Sequence, residues 1–394
     1  MKKTALIVGG IIFIAVLLAA WLYLLFFGTP EQMEDVFSDL SFGRNGGEAV
    51  APDPTDDTDD TPPPPINSEI ASTNQLRQIT TDPVAGFQIL ATPQGTSSPQ
   101  IMYVEAGTGH IYRYDTDSGD RERISNRTIP QTNHALITSQ GRYVVTEAEG
   151  TTRIFSTHGT NTEVLLNTQD PLRNLAVVND RYLLYTLEQN QAVTGIALDM
   201  SNNTTQTLFT FPATAIQVSW GQSISAPHIV YTLPTDTVRS HAYVVDQNSR
   251  QRLPITGYGL NLFHTQDQVF YSRNNDPARP GERSGFVHDL TTNTTSRLPL
   301  PVLREKCTID RPQDSLWCGH DFDQSYSLSN WYKGVTQLND SFWRIDASRS
   351  SATFVRNIQE TAGRAVDISS ITHMTDTFVF TNKINRTLWL YEHN

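Results

Sequence analysis

The sequence predicts an all-β domain, a seven-bladed β-propeller, preceded by one transmembrane helix and a disordered linker. Three observations lead to this fold class: a repeated strand module, a spare strand ahead of the first repeat, and an apolar run followed by a Pro- and Asp-rich stretch. The module is clearest in IYRYDTDSGDRERIS at 111–125, where an apolar strand ends at an aspartate that begins a polar turn. Its copies lie 41 to 57 residues apart, and repeats of about 40–50 residues built from short strands are typical of propeller blades. The equivalent positions are Asp115, Ser156, Asp199, Asp246, Asp289, Asp346 and Glu392.

Residues 1–28 are predicted to be a transmembrane signal anchor. Residues 5–27 contain no charged side chain, and a helix of 23 residues is about 34 Å long, enough to cross a hydrocarbon core of about 30 Å. Lys2 and Lys3 precede the run and acidic residues follow it, so the positive-inside rule places the N-terminus in the cytoplasm and the rest outside. A cleaved signal peptide is the alternative, but the run is longer than the usual apolar region and no small-x-small cleavage site follows it. We therefore expect a bacterial single-pass protein of the cytoplasmic membrane, with residues 5–27 in the bilayer.

Two segments connect the anchor to the repeats. In 29–42 apolar residues recur at helical spacing and predict a short juxtamembrane helix, which either rests among the lipid headgroups or contacts a membrane partner. Residues 43–74 contain an aspartate-rich run, four consecutive prolines and almost no side chain able to build a core. This composition predicts a disordered, extended linker.

Residues 75–394 are predicted to form the propeller, and its two ends are expected to pair. Each repeat supplies four antiparallel strands except the seventh, which lacks an outer strand. The missing strand is available as QLRQIT at 75–80, which is similar to outer strands such as RERIS and has no repeat of its own. We therefore predict that strand 76–80 pairs with the last strand, 388–392, which removes the sheet edge that an open ring leaves exposed.

The aspartates at the equivalent positions of the repeats, which we call the marker aspartates, are predicted to have a structural role. A carboxylate at the start of a turn accepts hydrogen bonds from main-chain N–H groups two or three residues further on. This role explains the repeated aspartates without catalysis.

The charge distribution gives no reason to expect a nucleic-acid partner. The net charge is −12, and residues 1–74 contribute three bases and eleven acids, or −8, so the repeats hold −4. Proteins that bind nucleic acid present a basic surface to its phosphates. We therefore expect no nucleic-acid partner.

One repeat resembles a known group of propellers. In that group, a Ser-Pro-Asp-Gly turn joins two strands. The segment ALITSQGRYVVTE at 135–147 resembles a degenerate form of this motif, with Ser139, Gln140 and Gly141 in the turn. On this basis residues 75–394 resemble the WD40-like and TolB-like propellers of bacterial envelopes. The resemblance implies a scaffold that binds proteins or ligands, and it carries over no catalytic residue.

The two cysteines, Cys307 and Cys318, predict a disulfide. The segment between them reads as strand, turn, strand, which places them on opposite strands of one hairpin at disulfide distance. A location outside the cytoplasm permits oxidation, and two free thiols are the alternative. His320 is the nearby candidate for a zinc ligand and no CxxC motif occurs, so we expect no metal and no cofactor.

The candidate binding residues lie in an insertion of the sixth repeat, at 321–337, and in the first repeat. Tyr326, Trp331 and Tyr332 are large amphipathic side chains of the kind that dominates binding hot spots. The alternative is that the insertion is a lid packed on its own blade. His110, near a strand start, either faces a binding surface or is an ordinary hairpin histidine.

Three functions are consistent with this reading. The first is a non-enzymatic protein-binding or scaffolding module of the cell envelope, with a protein partner at the insertion. The second is an envelope hydrolase or lyase with its site over the propeller channel, which needs inner-strand residues such as Asp367, His373 and His134 to cluster. The third is a subunit of a surface assembly.

Overall fold

The computed structural model describes residues 75–91, 99–125, 127–157, 163–166 (main chain), 172–310, 315–322 and 326–393. The predicted anchor at 1–28, the juxtamembrane helix at 29–42 and the linker at 43–74 lie outside these residues. Within them, no helix has the length and apolar character needed to cross a membrane.

The described residues are nearly all β, and short antiparallel strands follow the predicted repeats. Three four-stranded sheets come first. Sheet one contains β2 (Val84–Leu90), β3 (Gln100–Glu105), β4 (Ile111–Asp115) and β5 (Arg121–Arg123). Sheet two contains β6 (Thr132–Ile137), β7 (Tyr143–Ala148), β8 (Thr151–Ser156) and β9 (Glu163–Leu166). Sheet three contains β10 (Arg173–Val178), β11 (Tyr182–Gln189), β12 (Ala192–Asp199) and β13 (Thr204–Phe211).

The fourth and fifth repeats are joined in a continuous run of seven strands. It contains β14 (Ile216–Ser219), β15 (His228–Thr232), β16 (Ser240–Val245), β17 (Arg250–His264), β18 (Gln268–Asn274), β19 (Arg283–Asp289) and β20 (Thr294–Arg297). The sequence predicts two strands where the structure has β17. Residues 250–257 of β17 pair with β16 and residues 258–264 pair with β18, so β17 passes from sheet four to sheet five. Gly259 lies in this transition with a φ of 55°, a conformation that glycine adopts without strain.

Two further sheets complete the domain. Sheet six contains β21 (Cys307–Asp310), β22 (Ser315–Asp321), β23 (Asp340–Asp346) and β24 (Ser351–Asn357). Sheet seven contains β25 (Ile368–Met374), β26 (Thr377–Asn382), β27 (Leu388–Glu392) and β1 (Leu76–Gln78). The strand predicted to close the ring thus contributes β1, which pairs antiparallel with Trp389–Tyr391 of β27. Ile79 extends the pairing by donating its N–H to Leu388 O at 2.8 Å.

The first strand of each sheet lies on the inside of the domain. Inner strand β2 contacts both β6 and β25, β25 contacts β21, and β6 contacts β10. The approach is close enough that a side chain at Gly86 of β2 would collide with the carbonyl oxygen of Ala135 on β6. Neighbouring sheets therefore pack face to face around a common centre.

The core consists of apolar layers between neighbouring sheets. One layer combines Leu388 and Leu390 of sheet seven with Ile101 and Tyr103 of sheet one. Strands buried on both faces need near-continuous β-branched and aromatic sequences, which explains runs such as TFVFTN at 377–382.

Two short helices interrupt the sheets in the part of the chain that the structure describes. Helix α1 (Leu328–Tyr332) lies in the predicted insertion, and Ser327 accepts a hydrogen bond from Asn330 N at its start. Helix α2 (Ile358–Ala362) follows β24 and ends at Gly363, whose φ is 68°. The sequence analysis does not predict α2, because five residues are too few for a visible helical period.

Candidate functional site

The described part of the insertion at 321–337 is anchored at the end of the domain where inner strands β21 and β25 begin. Trp331 of α1 is 1% exposed and packs with Leu303, Leu328 and Leu338. Its indole Nε1 donates to Asp367 Oδ2 at 2.9 Å, so burial leaves no polar atom of the ring unsatisfied. The prediction that Trp331 is a surface contact is therefore wrong. Its large apolar ring is better satisfied inside, as in the lid alternative.

Beneath Trp331 lies a buried ionic cluster of Lys306, Asp340 and Asp367. The Lys306 ammonium donates to Asp367 Oδ1 at 2.6 Å and also to Asp340 Oδ2. It lies 5.2 Å from the centre of the Trp331 ring, close enough for a cation–π interaction. In the sequence, Asp340 and Asp367 lie 34 and 61 residues from Lys306, so no local pattern reveals the cluster.

Burial and pairing act in opposite directions on these groups. Burial raises the pKa of Asp340 to about 6, although the Lys306 ammonium lowers it in part. Burial alone would lower the pKa of Lys306, but the two carboxylates raise it above its ordinary value. Lys306 therefore stays charged, and its removal would leave two buried carboxylates facing each other.

Hydrogen bonds tie the insertion to further sheets. Ser327 Oγ and Ser329 N donate to Asp236, in the loop between β15 and β16 of sheet four. The Tyr332 hydroxyl accepts from Asn261 of sheet five at 2.6 Å and donates to Glu305 at 3.0 Å. Lys383, after β26 of sheet seven, donates to Trp331 O at 2.8 Å. The insertion thus bridges sheets four to seven.

The other predicted binding residues have mixed environments. Tyr326 is half-buried, and the Arg283 guanidinium lies 5.4 Å from the centre of its ring. Tyr332 keeps an exposed ring although its hydroxyl is bonded. His110 is half-buried in the turn between β3 and β4, and its Nε2 is 2.9 Å from Thr128 Oγ1. His110 does not share a site with the insertion residues, because its partners all belong to the first sheet and the segment that follows it.

The exposed part of this region is an aromatic surface that sequence reasoning missed. We call Phe322, Trp343 and Phe354 the aromatic patch: Phe322 follows β22, Trp343 lies on β23 and Phe354 on β24. Trp343 lies 5.7 Å from Phe322 and 5.3 Å from Phe354 between ring centres. Phe322 is 64% exposed and Phe354 47% exposed. The sequence signal for the patch was the presence of aromatic residues at 343 and 354 in consecutive strands, where they occupy directly opposite positions.

The disulfide prediction is confirmed. Cys307 of β21 and Cys318 of β22 occupy directly opposite positions in the hairpin and are linked by a disulfide. Both are buried.

The marker aspartates have the predicted turn role. Asp115 Oδ1 accepts from the N–H groups of Asp117 and Ser118, and Asp289 Oδ1 accepts in the same way from Thr291 and Thr292. These hydrogen bonds lower the pKa of the carboxyl group. Asp246 accepts two such N–H groups as well, whereas Asp199 and Asp346 each accept one, from Ser201 and Arg349.

The residues considered for an enzyme site have separate partners. Asp367 bonds to Lys306 and Trp331, His373 Nδ1 lies 3.0 Å from Thr308 Oγ1, and His134 Nδ1 lies 2.7 Å from Glu147. Within the described residues, no hydrogen bond joins any two of the three. Nor do the described residues contain a group of three or more His, Cys, Asp or Glu side chains placed to hold a metal ion.

Comparisons with known proteins identify the fold. No family model and no curated protein matches the sequence. The β-propeller domain of the Trilobed protease from Pyrococcus furiosus is similar at a TM-score of 0.52 and 8% identity, covering 79% of this chain and 96% of that domain. An oligogalacturonate lyase in complex with manganese is similar at a TM-score of 0.56 and 11% identity, covering 83% of this chain and 95% of the lyase. The oligogalacturonate lyase of Vibrio parahaemolyticus is similar at a TM-score of 0.56 and 9% identity, covering 82% and 95%.

This fold is a β-propeller. At identities of 8–11% the similarity shows the fold alone. The ring of the Trilobed protease has an open velcro topology, whereas in this propeller β1 pairs with β27.

Proposed function

We propose that this protein is a propeller, anchored in the cytoplasmic membrane through residues 5–27, that binds a protein partner of the cell envelope through the aromatic patch. The observation that carries the proposal is the exposure of Phe322 and Phe354 beside Trp343. Aromatic side chains supply much of the energy of protein interfaces, because they bury a large area at a small cost in conformational entropy.

The setting of the patch supports a recognition role. It lies next to the insertion, whose other exposed apolar side chains are Tyr332 and Val335. Trp331 and the ionic cluster hold α1 of the insertion in place, and the pairing of β23 with β24 holds Trp343 and Phe354 of the patch. A preformed surface loses less entropy on binding than a mobile loop does.

The remaining features of the proposal come from the sequence. A seven-bladed ring is supported by the seven-stranded run, because β17 belongs to both of its two four-stranded sheets, β14 to β17 and β17 to β20. The WD40-like and TolB-like resemblance supports a role in recognition. The lysines before residue 5 and the acids after residue 27 support a location outside the cytoplasm. A protease added to intact cells or spheroplasts tests this location, because it should cleave the linker at 43–74 and release the propeller.

Crosslinking in native membranes tests the partner. A photoreactive phenylalanine analogue at position 322 should capture one protein reproducibly, as identified by mass spectrometry. The double variant Phe322→Ala/Phe354→Ala should reduce co-purification of that protein at least tenfold, because each hot-spot side chain contributes about 1–2 kcal/mol.

The matched control is Val238→Ala, which removes an exposed apolar side chain from a loop of sheet four. It should leave co-purification unchanged. Equal capture by the double variant would contradict the proposal. Crosslinks between two copies of this chain would instead favour a subunit of a surface assembly.

A further inference from the structure

A second polar site lies at the other end of the inner strands, where β14 and β17 end. Ser219 is the last residue of β14 and His264 is the last residue of β17. Ser219 Oγ lies 2.8 Å from His264 Nδ1, and His264 Nε2 lies 3.0 Å from Pro227 O. Ser219 is 4% exposed and His264 is 9% exposed.

The hydrogen bonds fix the proton positions. The carbonyl oxygen of Pro227 can only accept, so Nε2 of the neutral imidazole carries the proton and Nδ1 presents its lone pair. Ser219 Oγ–H therefore donates to Nδ1. Burial lowers the pKa of His264 to about 4, which keeps the imidazole neutral and able to accept a proton at neutral pH.

We propose that Ser219 and His264 form a nucleophile–base pair that hydrolyses small acyl esters. The arrangement contains the required roles: a hydroxyl nucleophile, a base within hydrogen-bond distance and a third group that orients the base. Here the orienting group is the main-chain carbonyl of Pro227.

Hydrogen bonds and a ring contact hold β14 and the loop after it in place. The N–H of Gly221 donates to His228 Nδ1 at 3.0 Å, and the Trp220 indole packs edge-on against the His228 ring. Trp220 Nε1 donates to Asn174 O, and Val218 N donates to Asn174 Oδ1 at 3.2 Å. Sheet three therefore braces β14, which carries Ser219, and the loop that follows it.

Adjacent cavities offer space for a substrate. A cavity of about 230 Å³ is lined by His264 together with Gly221, Ala226 and Pro227. It shares Gln222, Thr265 and Gln266 with a neighbouring cavity of about 580 Å³. The smaller volume suits a short acyl group, and this cavity reaches the pair at His264. Gln222 and Gln266 are among the residues of its lining that carry hydrogen-bond donors.

The reaction uses no cofactor. Ser219 Oγ attacks the ester carbonyl carbon while its proton passes to His264 Nδ1. The hydrogen bond from Nε2–H to Pro227 O favours the imidazolium, whereas burial and the nearby Arg304 guanidinium oppose it. Collapse of the tetrahedral intermediate breaks the bond to the alkoxy oxygen, which leaves as an alcohol with the proton from Nδ1. Water, deprotonated by the same nitrogen, then releases the acid and restores Ser219.

Little in the sequence indicates this pair. SWGQS at 219–223 departs from the G-x-S-x-G order of a nucleophile elbow, and no helix follows it. His264 lies 45 residues away and reaches Ser219 because β14 and the inner half of β17 are neighbouring inner strands.

A fluorophosphonate probe on the purified full-length protein in detergent tests the proposal. The probe should form one adduct at Ser219, with fluoride as the leaving group, located by peptide mass spectrometry. Ser219→Ala should abolish the adduct, and His264→Gln should slow labelling at least 100-fold while Ser219 remains present.

The matched control is Ser225→Ala, which removes a more exposed serine of the same loop and should leave labelling unchanged. Thermal melting of each variant establishes that it is folded, and hydrolysis of p-nitrophenyl acetate gives a second readout. Absence of an adduct in the wild type, an adduct at Ser225, or equal labelling of folded His264→Gln would overturn the proposal.

Discussion

The two ends of the inner strands bury ionisable groups in opposite ways. Beneath the insertion, Lys306 remains charged because Asp340 and Asp367 surround its ammonium. At the other end, His264 bonds to Ser219 and Pro227 and, within the described residues, to no carboxylate, so burial lowers its pKa until the ring is neutral. A buried group is thus kept charged by pairing or made neutral by desolvation, and the neighbouring residues decide which.

Replacement of Lys306 should cause the largest loss in the free energy of unfolding. Lys306→Met leaves two buried carboxylates without their cation and should lower the free energy of unfolding by about 3–5 kcal/mol, measured by urea denaturation. The control is Arg279→Met, which breaks an exposed ion pair with Glu282 and should cost at most about 0.5 kcal/mol. Equal losses in the two variants would show that the cluster contributes no more than a surface pair does.

Truncation of Trp331 should follow closely. Trp331→Ala removes a buried ring and leaves Asp367 with one donor fewer, so it should lower the free energy of unfolding by about 3–5 kcal/mol. Phe322→Ala changes an exposed ring of the same insertion and should have an effect within about 0.5 kcal/mol. Urea denaturation of both variants tests the assignment of one aromatic to the core and the other to the surface, which reversed magnitudes would contradict.

Acid should lower the stability of the folded protein through His264. Between pH 6.5 and about 4 the unfolded chain binds a proton at position 264 that the folded protein does not, so stability is lost as the pH falls through this window. His264→Gln should reduce that loss by up to about 3 kcal/mol, measured by urea denaturation at several pH values. Asp340 has the opposite sign, because its raised pKa makes the folded chain the stronger proton binder up to about pH 6. An unchanged pH slope in His264→Gln would mean that this histidine is not the neutral buried group described above.

Loss of the disulfide should have a smaller effect. The bond closes a loop across 11 residues of sequence separation, so Cys307→Ala/Cys318→Ala should lower the free energy of unfolding by about 2–3 kcal/mol. Urea denaturation of the unreduced wild type and the double variant measures the difference. A wild type equally stable with and without a reducing agent would contradict it.

Much of the fold could be predicted from the sequence, because it depends on local patterns. The recurring aspartate turns mark the hairpins, since a side chain of this kind bonds to main-chain groups two or three residues away. The pairing of residues 76–78 with β27 followed from counting strands. The continuity of β17 was missed, because glycine at positions 257 and 259 permits a bend within a strand.

The candidate sites were less predictable. The sequence presents Trp331 and Phe322 as two aromatics of one insertion, and nothing in their local pattern says which is buried. Lys306 meets its carboxylates, and Ser219 meets His264, across 34 to 61 residues of chain.

By itself, the sequence determined the strand repeat, the turns and the cysteine hairpin, because each rests on interactions within a few residues. The tertiary structure decided which side chains share a site and which charges survive burial. Those outcomes depend on the packing of neighbouring sheets, where desolvation and pairing act between residues that are distant in the chain.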